Sequence, residues 1–187
     1  MVCNTYEQKP LQQGLRKKDI ISVKDMTKEE IVGILDYADE LRMNPADGAL
    51  KGKLMASCFF EPSTRTRISF EAAMKRLGGE VIGFSDAKST SLSKRETLFD
   101  TIKIIGGYAD IIVVRHPLDG AARYVAEAVN IPVINAGDGS NQHPTQTLLD
   151  LLSQQAEALL GVLPKADVFE EKLKNMELAY LQKLEKM

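Results

Sequence analysis

The sequence predicts an α/β fold, a parallel sheet flanked by helices on both faces. Two observations carry this. Short, nearly continuous apolar runs ("LMASCFF", "EVIGF", "DIIVVR", "IPVINA") alternate with segments whose apolar residues recur at helical spacing. Strands covered on both faces read as such continuous runs, and alternation with helices makes the sheet parallel. With 187 residues, the chain accommodates one domain with an appendage.

The first helix is expected from about Lys28 to Met43. Thr27 and Glu30 form an S/T-x-x-E capping box, and Ile31, Ile34, Leu35, Ala38 and Leu41 follow on one stripe. "NPADGALKGK" ends it. The "LMASCFF" strand comes next. A helix from about Thr64 to Leu77 follows, burying Phe70, Ala73, Met74 and Leu77 and closed by Gly78-Gly79 before "EVIGF". A helix over "ETLFDTIKIIGGYA", the "DIIVVR" strand, a helix over "GAARYVAEAV", the "IPVINA" strand and a helix from Pro144 onwards complete the alternation. The domain is expected over residues 1–152. Residues 153–187 read as a linker and a terminal helix, with Asp167 and Glu170 as a capping box and a narrow stripe of Phe169, Leu173, Met176, Tyr180 and Leu184.

Hydrophobic residues make up 44% and charged residues 27%, with a formal net charge of -2. That balance gives no global reason to expect nucleic acid or membrane partners, so any anion site must be local. The two cysteines, Cys3 and Cys58, form neither a disulfide framework nor a metal pattern, which suits a reducing cytoplasm. With two histidines and no clustered carboxylates, no metal site is indicated. The N-terminus lacks an apolar leader, and no run of about 18 apolar residues is present.

In a parallel sheet of this type, ligands sit beyond the C-terminal ends of the strands. One loop there is "EPSTRTRISFE", Glu61 to Glu71, where the first helical turn is "STRT". Leading helix amides lack internal partners and carry partial positive charge, Ser63 and Thr66 add hydroxyls, and Arg65 adds a fork matched to phosphate oxygens. Taken alone, the stretch reads equally as a serine-capped helix with solvated arginines. Three further loops at the same edge bear on the choice. They are "SLSKRE" with Ser91 and Lys94, "VVRHP" with Arg115, and "GDGSNQHPTQ" with His143, Gln146 and a proline suited to the first helical position. His116, beside Pro117, is assigned a structural role.

The stretches "FEPSTRTRISFE", "SLSKRETL", "VVRHP" and "GDGSNQHPTQTLLDL", in this order from about Lys18 to Leu151, closely resemble the carbamoyl-phosphate domain of the aspartate carbamoyltransferase family. The related ornithine enzymes typically carry "HPCQ" where "HPTQ" stands here. The resemblance implies that Ser63, Thr64, Arg65 and Thr66 grip the phosphate of carbamoyl phosphate. It implies further that Arg115 binds the phosphate and carbonyl side, His143 the carbonyl oxygen and Gln146 the carbamoyl amino group. Ser91 and Lys94 would reach into the neighbouring site of a homotrimer. Arg65, Thr66, Lys94, Arg115 and His143 would be the catalytic set. Arg95 stands where the family pattern S-x-x-K-G-E has glycine, which bears on the reach of Lys94.

The implied reaction is transfer of the carbamoyl group to L-aspartate in pyrimidine biosynthesis, without a cofactor. The family's second, aspartate-binding domain has no counterpart after "TLLDL". The chain is therefore expected to be a truncated catalytic chain with low or no activity by itself. The alternatives are a carbamoyl phosphate or phosphate-binding module without turnover, or an assembly partner of full-length chains. A regulatory chain is left open by the sequence.

Overall fold

The computed structural model describes residues 19–43, 48–87, 90 and 96–159. The elements are α1 (Lys28–Met43), β1 (Leu54–Phe59), α2 (Thr64–Arg76), β2 (Glu80–Phe84), α3 (Leu98–Gly106), β3 (Ile111–His116), α4 (Ala121–Ala128), β4 (Val133–Asp138) and α5 (Pro144–Leu159). The four strands form one parallel sheet in the order β2-β1-β3-β4. Division of the chain by contacts falls between Thr147 and Leu148. The expected terminal helix and the "SLSK" loop lie outside the described residues.

The continuous apolar run of β1 resolves into two faces with a period of two. Ala56, Cys58 and Phe60 pack with Ile112 and Val114 of β3 against Ile102 of α3 and Val125 of α4. Met55 and Phe59 pack with Val113 and Ala136 against Met74 of α2 on the other side. Helices therefore do cover both faces, as the alternation predicts. The outer edge of β4 is closed by the chain entering the domain, where Ile20 pairs with Ile134. At the opposite edge, Gly83 in β2 has φ +149°, and a Cβ there would overlap Ser57 O. This close backbone approach is open only to glycine.

Local expectations hold where a specific hydrogen bond underlies them. The Thr27–Glu30 box is reciprocal, with Glu30 N donating to Thr27 Oγ1 at 3.2 Å and Thr27 N to Glu30 Oε2 at 2.8 Å. Two expectations shift. Ala73 is exposed on α2, so the buried stripe there narrows to Met74 with Phe70 and Leu77 half-buried. Helix α3 spans less than "ETLFDTIKIIGGYA", because Thr97 caps it by accepting from Asp100 N and Gly107 ends it.

Cys58 is fully buried and free, and burial pushes its thiol up to about 12. We expect Cys58 to resist iodoacetamide near neutral pH in the folded protein and to react once the chain is unfolded. Peptide mass mapping of both states checks this, and labelling of native Cys58 would contradict the packing described.

Candidate functional site

The chain leaves β1 towards β2 on one side and leaves β3 towards β4 on the other, so the crevice between β1 and β3 is the topological switch point. Arg115 stands at this point, in register with Phe59, and its carbonyl accepts from Phe60 N at 2.9 Å. Its guanidinium lies across the crevice. Nη1 donates to Ala136 O at 3.1 Å, and Nη2 pairs with Glu61 Oε1 at 3.3 Å. Nε is buried with no partner. A partly buried cation whose side-chain partner is a single half-exposed carboxylate can exchange that partner for a ligand oxygen. Glu61 also borders a solvent-open depression of about 730 Å³ with Pro117, Leu118, Asp119, Gly139 and Ser140.

The helix start supplies the second component. Ser63 occupies the N-cap position of α2 with extended φ and ψ, yet its side chain makes no capping bond, and the first turn carries no acidic residue. The capping role open to Ser63 from sequence is thus not realised, and the hydroxyl and leading amides remain available to an anion. The two arginines of "STRTR" separate in the structure. Arg67 is turned back onto Glu71 at 3.1 Å, and Glu71 in turn accepts from Ser57 Oγ at 3.1 Å. Arg65 and Thr64 are exposed on the first turn, and Thr66 is half-buried.

The third component depends on an irregularity in β4. Val114 pairs with Asn135 and His116 with Asp138, so two steps along β3 match three along β4. The bulge extends β4 past the expected end at Ala136. Gly137 lies within it at φ +114°, and a Cβ there would stand 2.6 Å from Arg115 Nη1 and 3.6 Å from His143 Cδ2. The missing side chain is what lets the guanidinium and the imidazole approach one another. His143 precedes Pro144, the first residue of α5, and Thr145 Oγ1 lies 3.3 Å from His143 Nδ1. The contact accommodates either tautomer; when the hydroxyl donates, the proton sits on Nε2, the form that can donate to a carbonyl oxygen. Gln146 is exposed in the same first turn.

The structure thus gathers Arg115 and His143 around Gly137, and Ser63, Thr64, Arg65 and Thr66 follow two to five residues after Glu61. Ser91 and Lys94 lie outside the described residues. Glu61, Asn135 and Asp138 are polar members of this region that the sequence reading missed. A buried asparagine inside the apolar "IPVINA" run was the available signal. His116 has a different environment. Its Nδ1 accepts from Leu118 N at 3.1 Å and its ring tilts against Phe60, consistent with a structural part. Burial holds its pKa below the usual 6.5, opposed by the nearby charges of Asp138 and Glu61.

Residues 18–156 match the family model for the carbamoyl-P binding domain of aspartate/ornithine carbamoyltransferases. The chain belongs to this family. It is 58% identical over 137 residues to the aspartate carbamoyltransferase catalytic subunit of Chromobacterium violaceum, covering 73% of this chain and 45% of the relative. Identity to that of Thermococcus onnurineus is 62% over 139 residues, covering 72% and 44%. The chain therefore spans about half the length of the curated relatives it matches. Among solved structures, the M. jannaschii aspartate transcarbamoylase catalytic subunit superposes with a TM-score of 0.70 at 59% identity, over 75% of this chain and 47% of that one. The Trypanosoma cruzi aspartate transcarbamoylase in complex with carbamoyl phosphate and aspartate gives 0.72 at 37% identity, over 77% and 49%.

Two outcomes are expected. Gly137→Ala forces a side chain at positive φ against Arg115 and should destabilise the fold by about 1–3 kcal/mol, read from the denaturant midpoint. His116 is depressed, so its contribution to stability is present above pH 6.5 and is lost as pH falls through its folded value. His116→Asn, whose side-chain oxygen can still accept from Leu118 N, should flatten this part of the stability profile between pH 7 and 5. An unchanged slope would show that the titrating group is another one.

Proposed function

We propose that this chain binds carbamoyl phosphate in the crevice between β1 and β3 and contributes that side of the site to carbamoyl transfer onto the amine of L-aspartate. One observation carries the reading. Arg115 pairs with Glu61, two residues before an uncapped helix start that suits a phosphate, and approaches Gly137 together with a histidine that suits a carbonyl oxygen. The solved T. cruzi relative, in complex with carbamoyl phosphate and aspartate, supports the same ligands.

In this reading the Thr64–Thr66 turn, the Ser63 hydroxyl and Arg65 take the phosphate. Arg115 bridges phosphate and carbonyl, and Gln146 meets the carbamoyl amino group. The aspartate amine attacks the carbonyl carbon, an N–C bond forms, and His143 Nε2–H with Arg115 stabilises the tetrahedral oxyanion. Collapse breaks the C–O bond to phosphate, which leaves with the electron pair and takes up the proton that the amine loses. No covalent enzyme intermediate is needed, and the rate comes from positioning and charge stabilisation. A homotrimer in the cytosol, with Ser91 and Lys94 completing the neighbouring site, is part of the proposal.

The test is a calorimetric titration with carbamoyl phosphate, followed by assay of carbamoyl aspartate at saturating substrates. Arg65→Ala removes charge-assisted bonds worth about 1.5–3 kcal/mol, so affinity should fall by roughly ten- to a hundredfold. Unchanged affinity would overturn the assignment of the helix start. Binding without product would make the chain a binding module, and sedimentation equilibrium reads the trimer.

A further inference from the structure

Two buried polar side chains lie behind the crevice, and neither is among the ligand-facing residues. Asn135 is fully buried in β4 and Asp138 nearly so at its end. Asn135 Oδ1 accepts from Gly137 N at 2.8 Å, which folds the strand back on itself and forms the bulge. Its Nδ2 donates at 3.0 Å to Ile21 O and at 3.0 Å to Asp138 Oδ1. Asp138 Oδ1 also accepts from Gln142 N at 3.2 Å, and Oδ2 accepts from Gly120 N at 2.9 Å. All three neighbours of Asp138 are donors, so both of its oxygens act as acceptors.

One bond of this network, to Ile21 O, anchors it to the chain entering the domain, and the others end at parts of the site. Gly137 is the position against which Arg115 and His143 rest, Gln142 is bonded in sequence to His143, and Gly120 closes the loop that carries Leu118 and Asp119 along the depression. The network is fully satisfied within the protein, and a satisfied buried network fixes one geometry where a partly satisfied one would not. We infer that Asn135 and Asp138 are positioning residues, which together hold His143 and the Arg115 guanidinium in register with one another without touching the ligand. This rests on the carbamoyl phosphate reading above.

The test compares two ligands, carbamoyl phosphate and inorganic phosphate, on wild type and Asp138→Asn. The variant keeps the shape but turns one acceptor into a donor facing a donor. Losing about one hydrogen bond's worth of alignment should weaken carbamoyl phosphate by about tenfold, while inorganic phosphate, which shares Arg115 but has no carbonyl for His143 to meet and keeps the helix start and Arg65, should lose about threefold or less. Because the chain has two histidines, His143 can be followed by ring NMR, with His116→Asn assigning the other signal. Its response to carbamoyl phosphate should shrink in Asp138→Asn even at saturation. Equal losses for both ligands, or an unaltered His143 response, would overturn the inference and leave the pair with a purely structural role. Failure of the wild type to bind carbamoyl phosphate would instead overturn the functional reading on which it stands. If Asp138→Asn does not fold, Asn135→Ser, which keeps an acceptor near Gly137 N, is read in the same way. If neither folds, the pair holds the fold rather than the site, and the inference fails.

Discussion

The parallel pairing of β1 with β3, closed at its carboxyl end by Phe60 N donating to Arg115 O, is the constraint on which the rest depends. These two strands are neighbours in space although β2 lies between them in sequence. That order sends successive connections to opposite sides and opens a crevice that no single loop could make. Were β3 paired outside β2 instead, Glu61 and Arg115 would be separated by a strand. Arg115 would lose its acidic neighbour, and the helix start would face solvent alone.

Electrostatics then work at short range. A chain with a net charge of -2 attracts no anion by its overall field, and the depression beside the crevice is lined by Glu61 and Asp119. Attraction must come from fixed groups within a few ångströms. The Arg115 guanidinium is about one-fifth exposed, in surroundings where charge is screened less than at the surface. Its pairing with Glu61 is a single contact through Nη2 at 3.3 Å, so the carboxylate satisfies the cation only in part. A dinegative ligand competes with one carboxylate, rather than with a complete shell.

Much of this was legible in the sequence because it rests on local rules. Continuous apolar runs report burial on both faces, the Thr27–Glu30 spacing reports a cap, and Pro144 reports a helix start. Convergence of loops follows once the sheet is parallel. What was not legible depends on contacts distant in sequence. Ala73 fits the period of a buried stripe, but α2 turns Met74 onto the sheet and leaves Ala73 exposed beside it. The bulge in β4 needs Asn135 to fold back on Gly137 while Ile21, 114 residues away, takes its amide. "GDGSN" has the composition of a turn, and composition cannot report that its aspartate is buried.

The uncapped start of α2 has a further consequence. Natural helices commonly carry a side-chain cap and an early acidic residue, each adding roughly 0.5–2 kcal/mol or less, and α3 has both in Thr97 and Asp100. Helix α2 has neither. An aspartate placed there would stabilise the free chain by occupying the amides that an anion would use. Improvement of thermal stability and retention of the ligand are therefore opposed at this one turn. Acidic substitution at Ser63, Thr64 or Thr66 would gain helix stability at the expense of any anion bound at this turn.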